Sequence, residues 1–225
     1  MTATTAPLPI EAVIFDMDGL LLDTEALAME ALMSAGQEVG TEMPRDFCHG
    51  MIGRSLDQCR TMIVDRYGAD FPLDRYFALQ DAHLNALVAS GRMELKAGVV
   101  PLLDELDRRH MKRAVATSSG RGRALHHLEV AGIAHRFQRI VTRDDVTRGK
   151  PDPEPYLTAA AGLGMRPEAC LALEDSHTGV RAAHAAGMRV IMVPDLLQPT
   201  PEMHDKAHRI VQSLHEVIAF LNEDV

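Results

Sequence analysis

Tryptophan is absent from the 225 residues, and aromatics as a class make up only 4%. The core must therefore be built from Leu, Val, Ile, Ala and Met. Cysteine is scarce: Cys48, Cys59 and Cys170 are few and odd in number, which excludes a disulfide framework and fits a reducing, cytoplasmic setting. Cys170 lies in an apolar run and reads as a small buried hydrophobe. No uncharged apolar run approaches the ~20 residues of a membrane span. Met1–Pro9 holds no basic residue and no apolar segment, so it lacks the marks of a signal peptide and reads as a frayed lead-in. Cations are outnumbered, 23 Lys and Arg against 32 Asp and Glu, for a net charge of −9. That excludes a general nucleic-acid or anionic-membrane surface. Any anionic ligand must then be held by local cations and not by the overall field. There is no internal repeat and no low-complexity segment. The length allows one large domain or a core with a smaller partner.

What is present begins with Ala12-Val13-Ile14-Phe15-Asp16-Met17-Asp18-Gly19. Four apolar residues predict a short, fully buried strand. It stops at two aspartates one residue apart, and Gly19 lets the chain turn sharply there. Carboxylates at i and i+2 would share a face if the strand continued. Ligands of an open parallel sheet bind just outside the carboxyl ends of its strands, so the two acids mark a candidate site; a plain strand-ending turn is the structural alternative. Thr24 can cap a helix over about Glu25 to Val39, and helical patterns follow over about Ser55 to Tyr67 and Leu73 to Ser90. No strand is predicted between Thr24 and Arg92. These residues, 25–92, read as a small helical domain inserted into a core formed by 1–24 and 93–225, entering and leaving beside the strand end as a lid would.

From Gly98 onward helix and strand alternate. Helices are predicted over about Val99 to His110, Arg121 to Ala131, Pro153 to Leu163, Thr178 to Ala186 and Leu214 to Leu221. Strands are predicted at Ala114–Ala116, Arg139–Val141, Ala169–Leu173 and Val190–Val193. This alternation predicts an α/β fold, a parallel sheet with helices on both faces. Three strands end in polar groups: Asp16 with Asp18, Thr117 with Ser118, and Glu174 with Asp175. A loop adds Lys150. A parallel sheet puts all these ends on one edge. Clustered acids repel at about 4 kcal/mol per pair at 4 Å and an effective dielectric of 20, so something cationic must offset them. Oxygen donors without His or Cys favour a hard ion such as Mg²⁺.

In this order, Asp16-Met17-Asp18-Gly19 with Leu22-Asp23-Thr24-Glu25, then Thr117, then Gly149-Lys150-Pro151-Asp152-Pro153, then Glu174-Asp175-Ser176 with Gly179 and Ala186-Gly187, the sequence resembles the haloacid dehalogenase superfamily. Its nearest branch is the β-phosphoglucomutase-like and phosphoglycolate-phosphatase-like one. The resemblance implies a Rossmann-like, doubly wound core, with the helical insertion as a cap. It implies a Mg²⁺-dependent phosphatase of a small phosphorylated metabolite. Asp16 would attack phosphorus to give an aspartyl phosphate, and Asp18 would act as general acid and base. Asp16, Asp18 through its backbone carbonyl, and Asp175 would hold the metal, with Glu174 as a ligand or close partner. Thr117, Ser118 and Lys150 would hold the phosphoryl oxygens. Arg54, in Gly53-Arg54-Ser55, corresponds to a segment that reaches over the site from the cap. A monomer or weak dimer is expected.

Each piece has an ordinary structural alternative: Thr117 as a helix cap, Lys150 as a solvated loop cation, Glu174 with Asp175 as an acidic helix start, Ser55 as a cap beside an exposed Arg54. The runner-up activity is sugar phosphate mutase. Against it, the resembled mutases carry a His where this chain has Ala28, and a cap lysine where Leu73–Ser90 has none. Haloacid dehalogenase chemistry needs neither Mg²⁺ nor an acid like Asp18, and a non-catalytic phosphate-binding module gains nothing from Asp16. His204 and His208, at metal-ligand spacing, read as a solvated helix face, His126 and His127 as bland helix residues, His177 as a solvent-facing helix start, and His49 as a weaker companion of Arg54.

Overall fold

The computed structural model describes residues 9–52, 54 and 56–223; the lead-in over residues 1–8, Gly53 and the Ser55 cap lie outside them. Six parallel strands form one sheet: β1 (Ala12–Phe15), β2 (Lys112–Ala116), β3 (Arg139–Val141), β4 (Cys170–Glu174), β5 (Arg189–Met192) and β6 (Arg209–Ile210), in the order β3-β2-β1-β4-β5-β6. This is the doubly wound order, with β1 central and its end at the point where the winding reverses. β1 is buried along its whole length, and its alternation divides the core in two. Val13 and Phe15 face one apolar cluster and Ala12 and Ile14 the other. Helices α5 (Val99–Arg108), α6 (Arg121–Val130) and α10 (Leu214–Glu223) cover the first face; α7 (Glu154–Leu163), α8 (His177–Ala185) and the short α9 (Pro201–Lys206) cover the second. Each large side chain sealed there contributes roughly 1.5–3 kcal/mol. All three cysteines are buried and free.

β2 begins two residues before the predicted strand, at Lys112. Arg113 hid that start, because a charged letter reads as an exposed one. It is buried at 4% exposure, donating to the Leu103 and Arg136 carbonyls and pairing with Asp107. β6 was not predicted, since two residues carry no periodicity. His204 and His208 do not share a helix: α9 stops at Lys206, and His208 donates its N–H to the Val190 carbonyl on the way into β6.

Between β1 and α5 lie α1 (Glu25–Glu38), α2 (Arg45–His49), α3 (Leu56–Tyr67) and α4 (Leu73–Ala89). The short α2 was not predicted. Among the described residues no strand occurs in this stretch. These helices bury apolar clusters of their own: Leu32, Ala35, Ile63 and Tyr76 in one, and Leu27, Ala31, Leu84 and Val88 in the α1–α4 seam. The Tyr76 hydroxyl donates to the Leu32 carbonyl at 3.1 Å, which keeps a buried phenol satisfied. Across to the sheet layer, Arg123 of α6 pairs with Asp81 of α4. Among the described residues no helix is long and apolar enough to cross a membrane.

Candidate active site

Beyond Phe15 the chain continues as a ladder for one residue, Asp16 N–H donating to the Leu173 carbonyl at 3.0 Å, and then turns back, with Leu21 and Leu22 N–H both bonded to the Met17 carbonyl. Gly19 sits in this turn at φ +84°. A Cβ there would lie 2.5 Å from Asp175 Oδ2 and 3.2 Å from Glu25 Oε1, so glycine is required both by conformation and by space.

The turn delivers Asp16 to Lys150. Lys150 Nζ donates to Asp16 Oδ1 and to Glu174 Oε1, both at 2.5 Å, and the lysine is only 5% exposed. Glu174, the last residue of β4, is fully buried. Its Oε1 also accepts from the Tyr156 hydroxyl at 2.7 Å, and its Oε2 from the Ser176 N–H and hydroxyl at 3.1 and 2.9 Å. With two donors on each oxygen, Glu174 acts as a strut that aims Lys150 at Asp16. Ser176 then caps α8, accepting from the Gly179 N–H at 3.1 Å, so Glu174 and Asp175 precede the helix and do not form its first turn. A Cβ on Gly179 would land on the Glu174 carboxylate. Gly179→Ala is expected to cost about 1–3 kcal/mol through this overpacking, measurable by chemical denaturation against the wild type.

One oxygen each of Asp16, Glu174 and Asp175 lie within 4.8 Å of one another. Asp175 Oδ1 is buried with no hydrogen-bond donor, a costly state for a carboxylate. Burial pushes the Asp16 carboxyl up to about 7, with Glu174 and Asp18 adding to the rise and Lys150 opposing it. Burial and the Asp16, Glu174 and Glu25 charges hold the Asp175 carboxyl well above the carboxylate range. Three acids face one ammonium. A hard divalent cation fits this donor set, which is all oxygen, carries excess negative charge and has an oxygen left over.

Asp18 stands apart from that trio. Its Oδ1 accepts from the Thr24 hydroxyl at 2.7 Å and its Oδ2 from the Ser119 hydroxyl at 2.8 Å. Thr24 is therefore not the side-chain cap predicted for α1: its backbone is already helical and its hydroxyl makes no capping bond. Thr117 is buried, with Oγ1 accepting from the Ser119 N–H at 3.0 Å, which folds the end of β2 into a tight loop. Ser118, in that loop, is exposed on the cavity wall. Ser119 and Tyr156 were missed by sequence reading. Ser119 had one signal, its place in the same polar run as Thr117; Tyr156, in an Ala- and Leu-rich helix, had none.

Asp16, Asp18, Thr117, Ser118, Lys150 and Asp175 line one cavity of about 510 Å³, and Arg54 lines it from the helical side. Arg54 Nε donates to the Gly50 carbonyl at 2.7 Å. His49 is exposed and outside the lining. His177 is half-buried with its ring at 2.8 Å from the Gln198 carbonyl. His127 is not bland: it is fully buried with neither ring nitrogen hydrogen-bonded, and burial pulls its pKa down.

Residues 13–193 match the family model of haloacid dehalogenase-like hydrolases. YhcW of Bacillus subtilis is 32% identical over 213 residues, covering 94% of this chain and 96% of its own. The phosphorylated carbohydrates phosphatase of Thermotoga maritima is 32% identical over 182 residues, 81% of this chain and 84% of that one. CbbY from Rhodobacter sphaeroides, solved in complex with phosphate, superposes with a TM-score of 0.82 at 28% identity, over 95% of this chain and 99% of that one. Its complex with xylulose-(1,5)bisphosphate gives 0.81 at 27% identity, over 92% and 96%. A doubly wound sheet with acids at the ends of its central strands, a family match over most of the length and relatives aligned nearly end to end lead to one conclusion: the chain belongs to the haloacid dehalogenase-like hydrolases.

Proposed function

We propose that the protein is a Mg²⁺-dependent phosphatase of a small phosphorylated metabolite, working through an aspartyl phosphate on Asp16. The observation that carries this is the convergence of Asp16, Lys150, Glu174 and Asp175, distant in sequence, into one buried cluster, three of whose members line a cavity large enough for such a substrate. Asp16, Asp175 and the Asp18 carbonyl would hold Mg²⁺. When bound, the ion screens the repulsion between carboxylate and phosphate.

Asp16 supplies the nucleophilic oxygen. Lys150, held by Glu174, lies against it, where phosphoryl charge spreads in the transition state. Thr117 and Ser118 contribute further donors on the same wall. Asp18 protonates the leaving oxygen and later removes a proton from the water that cleaves the intermediate; Thr24 and Ser119 fix where its oxygens lie. Residues 25–92 serve as a cap over the cavity, with Arg54 reaching the substrate from that side. Phosphorylated carbohydrates are the class to test first, given the Thermotoga maritima phosphatase and the bisphosphate bound by CbbY.

Turnover of p-nitrophenyl phosphate with and without EDTA tests the reading: release of phosphate that EDTA abolishes and Mg²⁺ restores is expected, and EDTA-resistant release would overturn the metal dependence. A panel of sugar phosphates with and without a bisphosphate primer separates hydrolysis from mutase action. Ala28, where the resembled mutases carry a His, lines the cavity and offers no proton-transferring group, so net phosphate release is expected. Asp18→Asn is expected to lower the rate about 10²-fold or more while leaving the Mg²⁺ requirement unchanged; an unchanged rate would assign the proton transfer to another group.

A further inference from the structure

The cavity has two unlike walls. The sheet side carries the acids, the hydroxyls and Lys150, whereas the helical side presents Leu32, Met51 and Leu56 together with one stripe of α4: Phe77, Gln80, Asp81 and Leu84. The spacing i, i+3, i+4 and i+7 puts these four on one helix face. Phe77 is half-buried. Its ring packs against the Tyr76 ring, 5.2 Å away at 70°, and the Arg60 guanidinium stands 5.7 Å over it. Gln80 is only 8% exposed and interrupts the buried run of Tyr76, Leu84 and Val88 on α4. A leucine there would continue that run without desolvating an amide, so the amide points to polar partners. One is Arg123 of α6, whose Nη2 lies 3.5 Å from Gln80 Oε1, at the long limit of a hydrogen bond. Arg123 is itself paired with Asp81, so the α4 stripe brings no uncompensated charge to the cavity. With its oxygen turned to Arg123, Gln80 offers its NH₂ group to an acceptor in the cavity.

A leaving group against this stripe meets hydrocarbon with an amide set in it. A sugar ring has the matching surface, with C–H bonds on its face and hydroxyls at its edge. An open-chain polyol loses several rotors on binding and carries hydroxyls on every side, some of them left unpaired against leucine. A wholly apolar leaving group leaves the Gln80 amide without a partner. We propose that α4 selects phosphate esters of cyclic sugars, Phe77 taking the apolar face of the ring and Gln80 a hydroxyl at its edge. This rests on the phosphatase reading above and narrows its substrate class.

The test is kcat/KM of the full-length wild type, Phe77→Leu and Gln80→Leu. The substrates are glucose 6-phosphate and mannose 6-phosphate, each beside its open-chain alditol phosphate, and p-nitrophenyl phosphate. The wild type is expected to prefer each cyclic sugar phosphate over its alditol about tenfold or more, for the rotors spared. Gln80→Leu is expected to lower kcat/KM for the cyclic sugar phosphates about tenfold, mainly through KM, and for p-nitrophenyl phosphate, whose ring carries no hydroxyl, by less than about threefold. Phe77→Leu keeps apolar volume but not a flat ring. It should lower kcat/KM about fivefold for the cyclic sugar phosphates and p-nitrophenyl phosphate, and less than about twofold for the alditol phosphates. A purely structural role would lower every substrate alike and bring down the melting temperature, which Gln80→Leu should leave at or above that of the wild type. If either variant does not fold, Phe77→Met or Gln80→Met takes its place. Three results overturn the proposal: equal wild-type kcat/KM for ring and alditol, turnover of p-nitrophenyl phosphate with none of either cyclic sugar phosphate, or a parallel loss on all substrates in both variants. A wild type that releases phosphate from none of these esters removes the phosphatase reading itself, which is a different result from phosphatase action that ignores the ring.

Discussion

Asp16→Asn is expected to lower phosphatase turnover about 10⁴-fold or more, the scale seen when one member of a concerted catalytic group is removed. The amide is close to isosteric and its oxygen can still accept from Lys150, so the local structure has little reason to move. It also lacks the charge whose burial pushes the Asp16 carboxyl up to about 7. The variant should therefore fold normally, with a melting temperature at or slightly above that of the wild type. Steady-state release of p-nitrophenol from protein free of contaminating phosphatase measures the first part and circular dichroism the second. Mass spectrometry of the acid-quenched wild type should find phosphate on Asp16 and none on the variant. Wild-type turnover in Asp16→Asn would remove the nucleophile assignment.

Lys150→Met is expected to damage both activity and the fold. Among the described residues Lys150 is the one ammonium bonded to Asp16 and Glu174, and it is buried, with its own pKa raised by those two carboxylates against the opposing effect of burial. Methionine fills similar space but leaves two buried acids uncompensated, a change that typically costs about 3–5 kcal/mol. The cost should depend on pH. Asp16 has a folded pKa raised from 3.8 to about 7, so the folded state holds its proton more tightly than the unfolded chain does. For such an acid, stability is greatest below the unfolded value and falls as pH rises through the window up to the folded one. Without Lys150 the folded pKa rises further and the window widens upward. Denaturation at pH 5 and pH 8 should therefore show the smaller loss at pH 5, where the folded carboxyl is already mostly protonated with or without Lys150. An equal loss at both values would mean that Lys150 stabilises by packing, including its 5.0 Å approach to the Tyr156 ring, and not by charge.

The most legible parts of the chain were those in which one segment carries its own signal. β1 is an apolar run bounded by Asp and Gly, and the strand is found on those residues. The helix–strand alternation beyond Gly98 predicted a parallel sheet with helices on both faces, because crossovers of this kind have one favoured geometry. Legibility failed where a letter contradicts its surroundings. Arg113 is charged yet buried inside β2, because three acceptors meet its guanidinium. Thr24 looks like a helix cap, but Asp18 takes its hydroxyl. His127 looks ordinary on α6 and is fully buried.

The sequence by itself determined which chemical groups stand at the strand ends and in what order, because burial periodicity and turn residues act over a few neighbours. Only the tertiary structure decided how the acids divide their work. Asp16 faces Lys150 across 134 residues of chain, Asp18 turns instead to Thr24 and Ser119, Glu174 is fully engaged as a strut, and Asp175 keeps an oxygen without a donor. These four carboxyls look alike in one dimension. Their differences come from which donors the packed layers bring within 3 Å, and no local pattern encodes that distance.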